Sequence, residues 1–192
     1  MQTGNINTAD LRKKIREEVS LKLQKDFGIK NPMVVPMLSK IVINVGVKNA
    51  TVDKKNIGVV SNALSAITGQ KPKVTKARKS IASFKLREGD KIGLMVTLRG
   101  KRMYDFFEKL VNIVLPRLRD FHGVKLTSFD EKGNYTLGFT EFSIFPEIDI
   151  GKMDPSLIGQ GMEVSIATTA KKKEEGFELL SALGTPFRKD RI

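Results

Sequence analysis

The stretch 39–47, SKIVINVGV, limits the fold more than any other part of the chain, because β-branched residues recur at every second position. In a strand, successive side chains point to opposite faces of the sheet. One face therefore carries Ile41, Ile43, Val45 and Val47, and the other carries Val42, Asn44 and Gly46. We predict that the first face lies in the core. Asn and Gly are poor strand formers, so we expect another group to approach the second face closely.

Helical and strand-like patterns alternate along the rest of the chain. Apolar spacing and stop signals predict helices over 8–27, from Thr51 or Asp53 to Gly69, after Gly100 as far as Pro116, and from Thr169 to Gly184. Further strands are predicted at 73–78, 91–99, 134–140 and 162–166. This order predicts an α+β fold, in which a largely antiparallel sheet has helices packed on one face. We expect a flexible tail at residues 1–10 and a single domain over residues 11–189.

Positive charge is concentrated between Lys71 and Arg102. This stretch holds eleven Lys or Arg against two acidic residues, while the whole chain carries a formal net charge of +13. Strands 73–78 and 91–99 flank its middle, which predicts a long basic β-hairpin. Clustered cations favour a polyanion, and nucleic acid leads because binding to phosphates releases counterions. An anionic membrane surface is the alternative partner, although the sequence has no apolar run of spanning length and no basic amphipathic helix with an aromatic-rich apolar face.

The second basic strand places polar side chains beside Asn44. Its apolar residues Leu94, Val96 and Leu98 alternate with Met95, Thr97 and Arg99. If the apolar set faces the helices, then Thr97 and Arg99 stand on the same open face as Asn44. Such a face can serve as a hydrogen-bonding floor for a nucleic acid. A plain solvent-facing sheet surface fits the same pattern.

Few residue types suited to catalysis are present. The chain has no Cys, which excludes thiol chemistry and thiolate zinc sites. Its one His is His122, so a catalytic triad or proton relay could contain at most one His. Residues 145–149 and 154–161 are predicted to form an exposed acidic loop. Its acids Glu147, Asp149 and Asp154 leave a metal-dependent nuclease as a second hypothesis. An acidic surface patch is the simpler interpretation, so we expect neither an enzyme nor a cofactor or metal site.

Several runs resemble one known family in colinear order from about Leu11 to Lys189. They are KIVINVGV (40–47), ITGQKPKVTKARKSIASFKLREG (67–89), VTLRGKRMYDFFEKL (96–110), LPRLRDFHGV (115–124) and FPEID (145–149). Together they resemble the bacterial large-subunit ribosomal protein L-five family, whose members carry 5S rRNA. The resemblance implies a cytoplasmic, non-enzymatic component of the large ribosomal subunit that attaches 5S rRNA in the central protuberance.

The resemblance also assigns residues to partners. The family's sheet-face residues that bind 5S rRNA fall on Asn44, Gln70 and Thr97, and Arg99 joins them from the strand pattern. The basic hairpin, Thr75–Glu88, would reach peptidyl-site tRNA through Lys76, Arg78, Lys79, Ser80 and Lys85. The acids Glu147 and Asp149 would meet a protein of the small-subunit head. 23S rRNA and other central-protuberance proteins complete the expected partners, with no membrane and no small-molecule substrate among them.

Overall fold

The computed structural model describes residues 18–47, 55–119, 121–149, 151 and 154–188. Within them the helices are α1 (Ser20–Phe27), α2 (Lys55–Thr68), α3 (Gly100–Lys109) and α4 (Lys173–Ala182). The strands are β1 (Leu38–Gly46), β2 (Lys73–Lys76), β3 (Lys91–Leu98), β4 (Tyr135–Phe139) and β5 (Met162–Thr168). The predicted tail at 1–10, the start of the first helix and the caps Thr51 and Asp53 lie outside the described residues.

The five strands form one sheet in the order β2-β3-β1-β5-β4. β2 and β3 pair antiparallel, with Val74 opposite Leu94. The Val47 N–H donates to the Ile92 carbonyl at 3.0 Å, so the end of β1 lies beside the start of β3, as antiparallel neighbours require. The predicted α+β fold with a largely antiparallel sheet is confirmed.

Burial along the strands follows the predicted alternation. Ile41, Ile43 and Val45 of β1 are buried, whereas Asn44 and Gly46 are exposed. In β3, Leu94, Val96 and Leu98 are buried. Helix α2 packs against β3 and contributes Ile57, Val60, Leu64 and Ile67 to the core. The opposite side of these two strands forms an open face, defined by Asn44, Gly46, Met95 and Thr97.

The chain after α3 bears out the expected disturbance at Pro116. Regular helix ends at Lys109, a wider π-type turn covers Leu110–Val114, and a tighter 3-10 turn covers Leu115–Arg117. Proline has no N–H to donate to the preceding turn, so the regular ladder cannot continue through it. Leu118 is already extended, with φ −64° and ψ 135°.

The chain forms two compact units. The first consists of the described parts of Met1–Ile41, Arg99–Thr136 and Ser165–Ile192, and the second consists of the described parts of Val42–Leu98 and Leu137–Val164. Three boundaries fall inside β1, β4 and β5, and the fourth lies between Leu98 and Arg99, at the end of β3. Phe129, Tyr135, Phe177 and Phe187 form an aromatic cluster in the first unit.

Tyr135 anchors that cluster with a polar contact. Its ring is fully buried, and its hydroxyl donates to the Lys125 carbonyl at 2.8 Å. Burial raises the pKa of Tyr135 to about 12, although a hydrogen bond with Ser128 acts in the opposite direction. The phenol therefore stays neutral and remains a donor throughout the physiological pH range.

A carboxylate organises the turn before β4. Asp130 accepts hydrogen bonds from the backbone N–H of Lys132 at 3.0 Å and from the backbone and side chain of Asn134, both at 2.7 Å. The side-chain carbonyl oxygen of Asn134 in turn accepts from the Thr168 N–H at 3.0 Å, which links the turn to the end of β5. Slight desolvation of this exposed carboxylate acts to raise the pKa of Asp130, but the hydrogen bonds from Asn134 and Lys132 and the Lys132 charge leave the pKa lowered.

We expect Asp130→Asn to remove an acid-dependent part of the stability. The pKa of Asp130 is lower in the folded state than its ordinary value of 3.8. Asp130 therefore stabilises the fold at pH values above 3.8, and this contribution is lost as the pH falls through the folded-state pKa. Urea unfolding of parent and variant between pH 7 and pH 3 should therefore show a difference that shrinks toward low pH. Glu131→Gln removes a neighbouring exposed carboxylate and is the control. A difference that does not vary with pH would contradict the assignment.

Candidate nucleic-acid interface

Two of the predicted contact residues lie on adjacent strands of the second unit. Asn44 is exposed on β1, and Thr97 is half-buried on β3. Both belong to the open face, since their strand neighbours Ile43, Val45, Val96 and Leu98 are buried. The structure therefore places the amide and the hydroxyl on one side of neighbouring strands, as the strand pattern predicts.

Gln70 is connected to β3 by its side chain. Gly69 ends α2 with a positive φ of 65°, and Gln70 follows directly. The Gln70 side-chain Nε2 donates to the Thr97 carbonyl at 3.2 Å, while its backbone bonds with the Thr68 hydroxyl. Because the acceptor on Thr97 is the backbone, this bond positions the chain after α2 beside β3 whatever side chain stands at position 97.

Arg99 lies directly after the last residue of β3. It belongs to the first unit and immediately precedes α3, in extended conformation with φ −141° and ψ 163°. Its side chain is exposed. The structure therefore brings Gln70 and Thr97 together, with Asn44 on the neighbouring strand, and Arg99 follows β3 as an exposed cation.

Gly93 of β3 and Gly46 of the open face have different reasons for lacking a side chain. A Cβ on Gly93 would lie 2.7 Å from the Val45 carbonyl oxygen and 2.9 Å from the Thr75 hydroxyl, so close strand packing requires glycine there. A Cβ on Gly46 would meet no described atom within 4 Å, and its φ is not in the positive range. Packing among the described residues therefore does not explain Gly46.

The basic hairpin is closed by its own hydrogen bonds. Beyond β2, the Ala77 N–H donates to the Asp90 carbonyl at 2.8 Å, and the Gly89 N–H donates to the Ala77 carbonyl at 3.0 Å. Further out, Ile81 and Leu86 exchange backbone bonds of 3.0 and 3.1 Å. The Ser80 hydroxyl accepts from the Glu88 N–H at 2.9 Å. Ser80, one of the predicted tRNA contacts, therefore also stabilises the hairpin itself. The exposed cations of the hairpin are Lys76, Arg78, Lys79, Lys85 and Arg87.

The acidic loop is exposed at its charges and anchored by its aromatics. Glu147 and Asp149 are exposed, while Phe142 and Phe145 are fully buried. Among the residues that the structure describes, no group of three His, Cys, Asp or Glu side chains could hold a metal ion. The nuclease hypothesis, which needs Glu147, Asp149 and Asp154 around one ion, receives no support from this geometry.

The prediction that 145–149 and 154–161 form an exposed loop is wrong at Phe145, Leu157 and Gln160, which are buried. Leu157, in the 3-10 turn Pro155–Leu157, is only 5% exposed and the turn packs against α2. Gln160 is 2% exposed, and its side-chain Nε2 donates to the Gly46 carbonyl. The polar side chain of Gln160 can be buried because its amide N–H donates to a backbone carbonyl at the end of β1.

None of the helices in the described ranges has the length and apolar character needed to cross a bilayer. An amide and a hydroxyl on one face of the sheet, together with a cationic hairpin, are features expected of a protein that binds a polyanion.

Comparison with known proteins gives the family. The sequence model described as ribosomal protein L5 matches residues 31–87, and a second model, which describes the C-terminus of the same ribosomal family, matches residues 91–187. Similar proteins include the large ribosomal subunit proteins uL5 of Moorella thermoacetica and of an Anaeromyxobacter species. Each is 54% identical over 180 residues, covering 94% of this chain and 98% of the relative. The uL5 protein of Mesoplasma florum is 52% identical over 179 residues, covering 93% and 98%.

The chain belongs to the ribosomal protein L5 family. It is a structural constituent of the large ribosomal subunit, in the cytoplasm, and not an enzyme. Sequence reasoning reached this family from its motifs. Sequence reasoning did not single out Phe84, whose ring is exposed at the tip of the hairpin; the available signal was an aromatic residue inside a run of cations.

Proposed function

We propose that the protein binds 5S rRNA and attaches it in the central protuberance of the large subunit, beside 23S rRNA and other central-protuberance proteins. The observation that carries this proposal is the open face, where Asn44 and Thr97 lie on adjacent strands and Gln70 is tied to the Thr97 backbone. Folded RNA is recognised through shape, sugar hydroxyls and backbone, which a polar sheet surface can contact over a broad area.

In this proposal the polar residues Asn44, Gln70 and Thr97, here called the floor, have a different role from the cations. Hydrogen bonds from Asn44, Gln70 and Thr97 fix the register of the RNA on the sheet. Arg99, exposed in the first unit, adds a phosphate contact. Attraction between cations and phosphates supplies affinity that depends on salt, whereas the neutral floor supplies preference for one RNA.

The hairpin and the acidic loop are proposed to serve two other partners. Lys76, Arg78, Lys79, Ser80 and Lys85 would contact peptidyl-site tRNA, with the four cations facing its phosphates. Glu147 and Asp149 would meet a basic protein of the small-subunit head, because an exposed acidic patch attracts a positively charged surface. Residues 11–189 would act as one RNA-binding domain.

The decisive experiment measures binding to 5S rRNA and to an unrelated structured RNA across a salt series. The parent should prefer 5S rRNA at every salt concentration. Asn44→Ala and Thr97→Val should each weaken 5S rRNA binding about tenfold, as expected for the loss of one hydrogen bond to RNA. Thr97→Val keeps the side-chain shape and the backbone bond to Gln70, so its effect isolates the hydroxyl.

Lys79→Ala is the control, because Lys79 belongs to the hairpin rather than to the floor. It should leave the affinity for 5S rRNA close to that of the parent. Equal affinities of the parent for both RNAs would reduce the function to general polyanion binding. Parent-like binding by Asn44→Ala and Thr97→Val would move the 5S rRNA site away from the open face.

A further inference from the structure

The tip of the hairpin presents an aromatic ring to solvent. Phe84 is 70% exposed, and Ile81, at the base of the same turn, is 44% exposed. We propose that Phe84 is a base-stacking residue, whose ring takes the open face of a nucleobase in the RNA that the hairpin contacts. This inference rests on the proposed function, which puts an RNA at the hairpin, and it adds the kind of RNA feature that is recognised.

The backbone holds the ring outward. Ile81 and Leu86 pair as the last rung of the hairpin, which leaves residues 82–85 as the turn. A 3-10 turn covers Ala82–Phe84, and the Lys85 N–H donates to the Ala82 carbonyl at 3.0 Å. Lys85 itself has φ 51°, the one positive φ of a non-glycine residue in the described ranges. A turn closed in this way presents Phe84 in a defined position, which lowers the entropy that binding must overcome.

The charges around the ring select RNA as the occupant. Between Lys76 and Asp90 the hairpin carries five exposed Lys or Arg and two acids, Glu88 and Asp90. The Asp90 carboxylate already accepts from the Arg87 N–H at 2.8 Å. An aromatic ring among cations matches the two parts of a nucleotide, since the ring stacks on the base while Lys79 and Lys85 face phosphates.

A single tryptophan tests stacking directly, because the chain has no Trp. The emission of Phe84→Trp should be strongly quenched when a purified tRNA is added, since a stacked base quenches indole. Inorganic polyphosphate supplies charge without bases and should bind without comparable quenching. Met33→Trp, at a site that is 91% exposed and outside the hairpin, is the matched control and should respond weakly to both.

Affinity supplies the second measurement. Phe84→Leu keeps an apolar side chain but removes the aromatic face, and it should weaken tRNA binding about tenfold with an unchanged salt dependence. Phe84→Tyr should bind as the parent does. Lys79→Ala should instead lower the salt slope by about one unit.

The outcomes distinguish a failure of the stacking inference from a failure of the proposed tRNA contact on which it rests. If the parent binds tRNA and Phe84→Leu binds equally well, or if polyphosphate quenches Phe84→Trp as tRNA does, stacking is overturned while the tRNA contact stands. If the parent does not bind tRNA at all, the proposed role of the hairpin fails as well. A blue shift of Phe84→Trp on anionic phospholipid vesicles, without quenching by tRNA, would assign the tip to a membrane surface and overturn the inference.

Discussion

Gly176→Ala is expected to destabilise the protein by about 3 kcal/mol or more, a large part of the stability of a domain of this kind. Gly176 lies in α4, where its backbone rests against the turn at Gly133. A Cβ added to it would overlap the Gly133 carbonyl oxygen and lie 2.6 Å from the Gly133 Cα. Both atoms belong to the backbone, so neither can rotate away.

The opposing turn has no room to retreat. Gly133 has φ 75°, and its own added Cβ would lie 2.7 Å from the Lys172 carbonyl oxygen. The Thr168 hydroxyl donates to the Gly133 carbonyl at 3.0 Å. Inserting a methyl group must therefore displace α4 or break the contacts of the turn, which is overpacking against a fixed wall.

Gly58→Ala is the matched control, because it makes the same change inside a helix. Gly58 lies in α2, and a Cβ there would meet no described atom within 4 Å. Alanine has the higher helix propensity, so this variant should gain about 0.5–1 kcal/mol. Urea unfolding should thus move the two variants in opposite directions. Stabilisation of both would show that α4 does not rest on Gly133 as described.

Gly46→Val should leave the fold at least as stable as the parent and weaken 5S rRNA binding about tenfold or more. Valine favours a strand, and the described atoms leave space at this position of the open face. If the RNA lies close to the sheet beside Asn44, a branched side chain holds it off the floor. A clash that costs about 1.4 kcal/mol weakens binding tenfold, and overpacking that costs about 3 kcal/mol weakens it roughly 150-fold.

The measurement pairs an unfolding curve with 5S rRNA titrations at two salt concentrations. The salt dependence should not change, because no charge is altered. Gly58→Ala, on the exposed side of α2 and outside the open face, should bind 5S rRNA as the parent does. A Gly46→Val variant that is stable and binds normally would show that the RNA does not come close to the end of β1.

Patterns of neighbouring residues in the sequence predicted the buried faces of the strands and the ends of the helical segments. The alternation in 39–47 and 91–99 identified the buried faces of β1 and β3, because a period of two leaves only one arrangement once one face is core. Gly69 and Pro116 marked the ends of helical segments, because glycine readily adopts a positive φ and proline has no N–H for the helical ladder. The assignment of Asn44 and Thr97 to one face followed from the same alternation.

Contacts between distant segments were beyond such patterns. Nothing near Gln160 in the sequence indicates that its amide finds the Gly46 carbonyl, and a polar residue in a Gly-rich run is normally exposed. The burial of Leu157 against α2 has the same origin. For Phe84, the sequence showed an aromatic residue among cations, but only the structure shows that its side chain is exposed in the turn closed by Ile81 and Leu86.

The sequence by itself determined the α+β class, the buried side of the sheet, the concentration of charge in the hairpin and the family. These properties follow from periodicity, composition and motifs, which involve residues close together in the chain. Only the tertiary structure decided that Gln70 reaches the Thr97 backbone, that Gly176 rests on Gly133 and that Phe84 stands exposed. Those facts depend on which segments meet, and the close packing of the folded chain settles that.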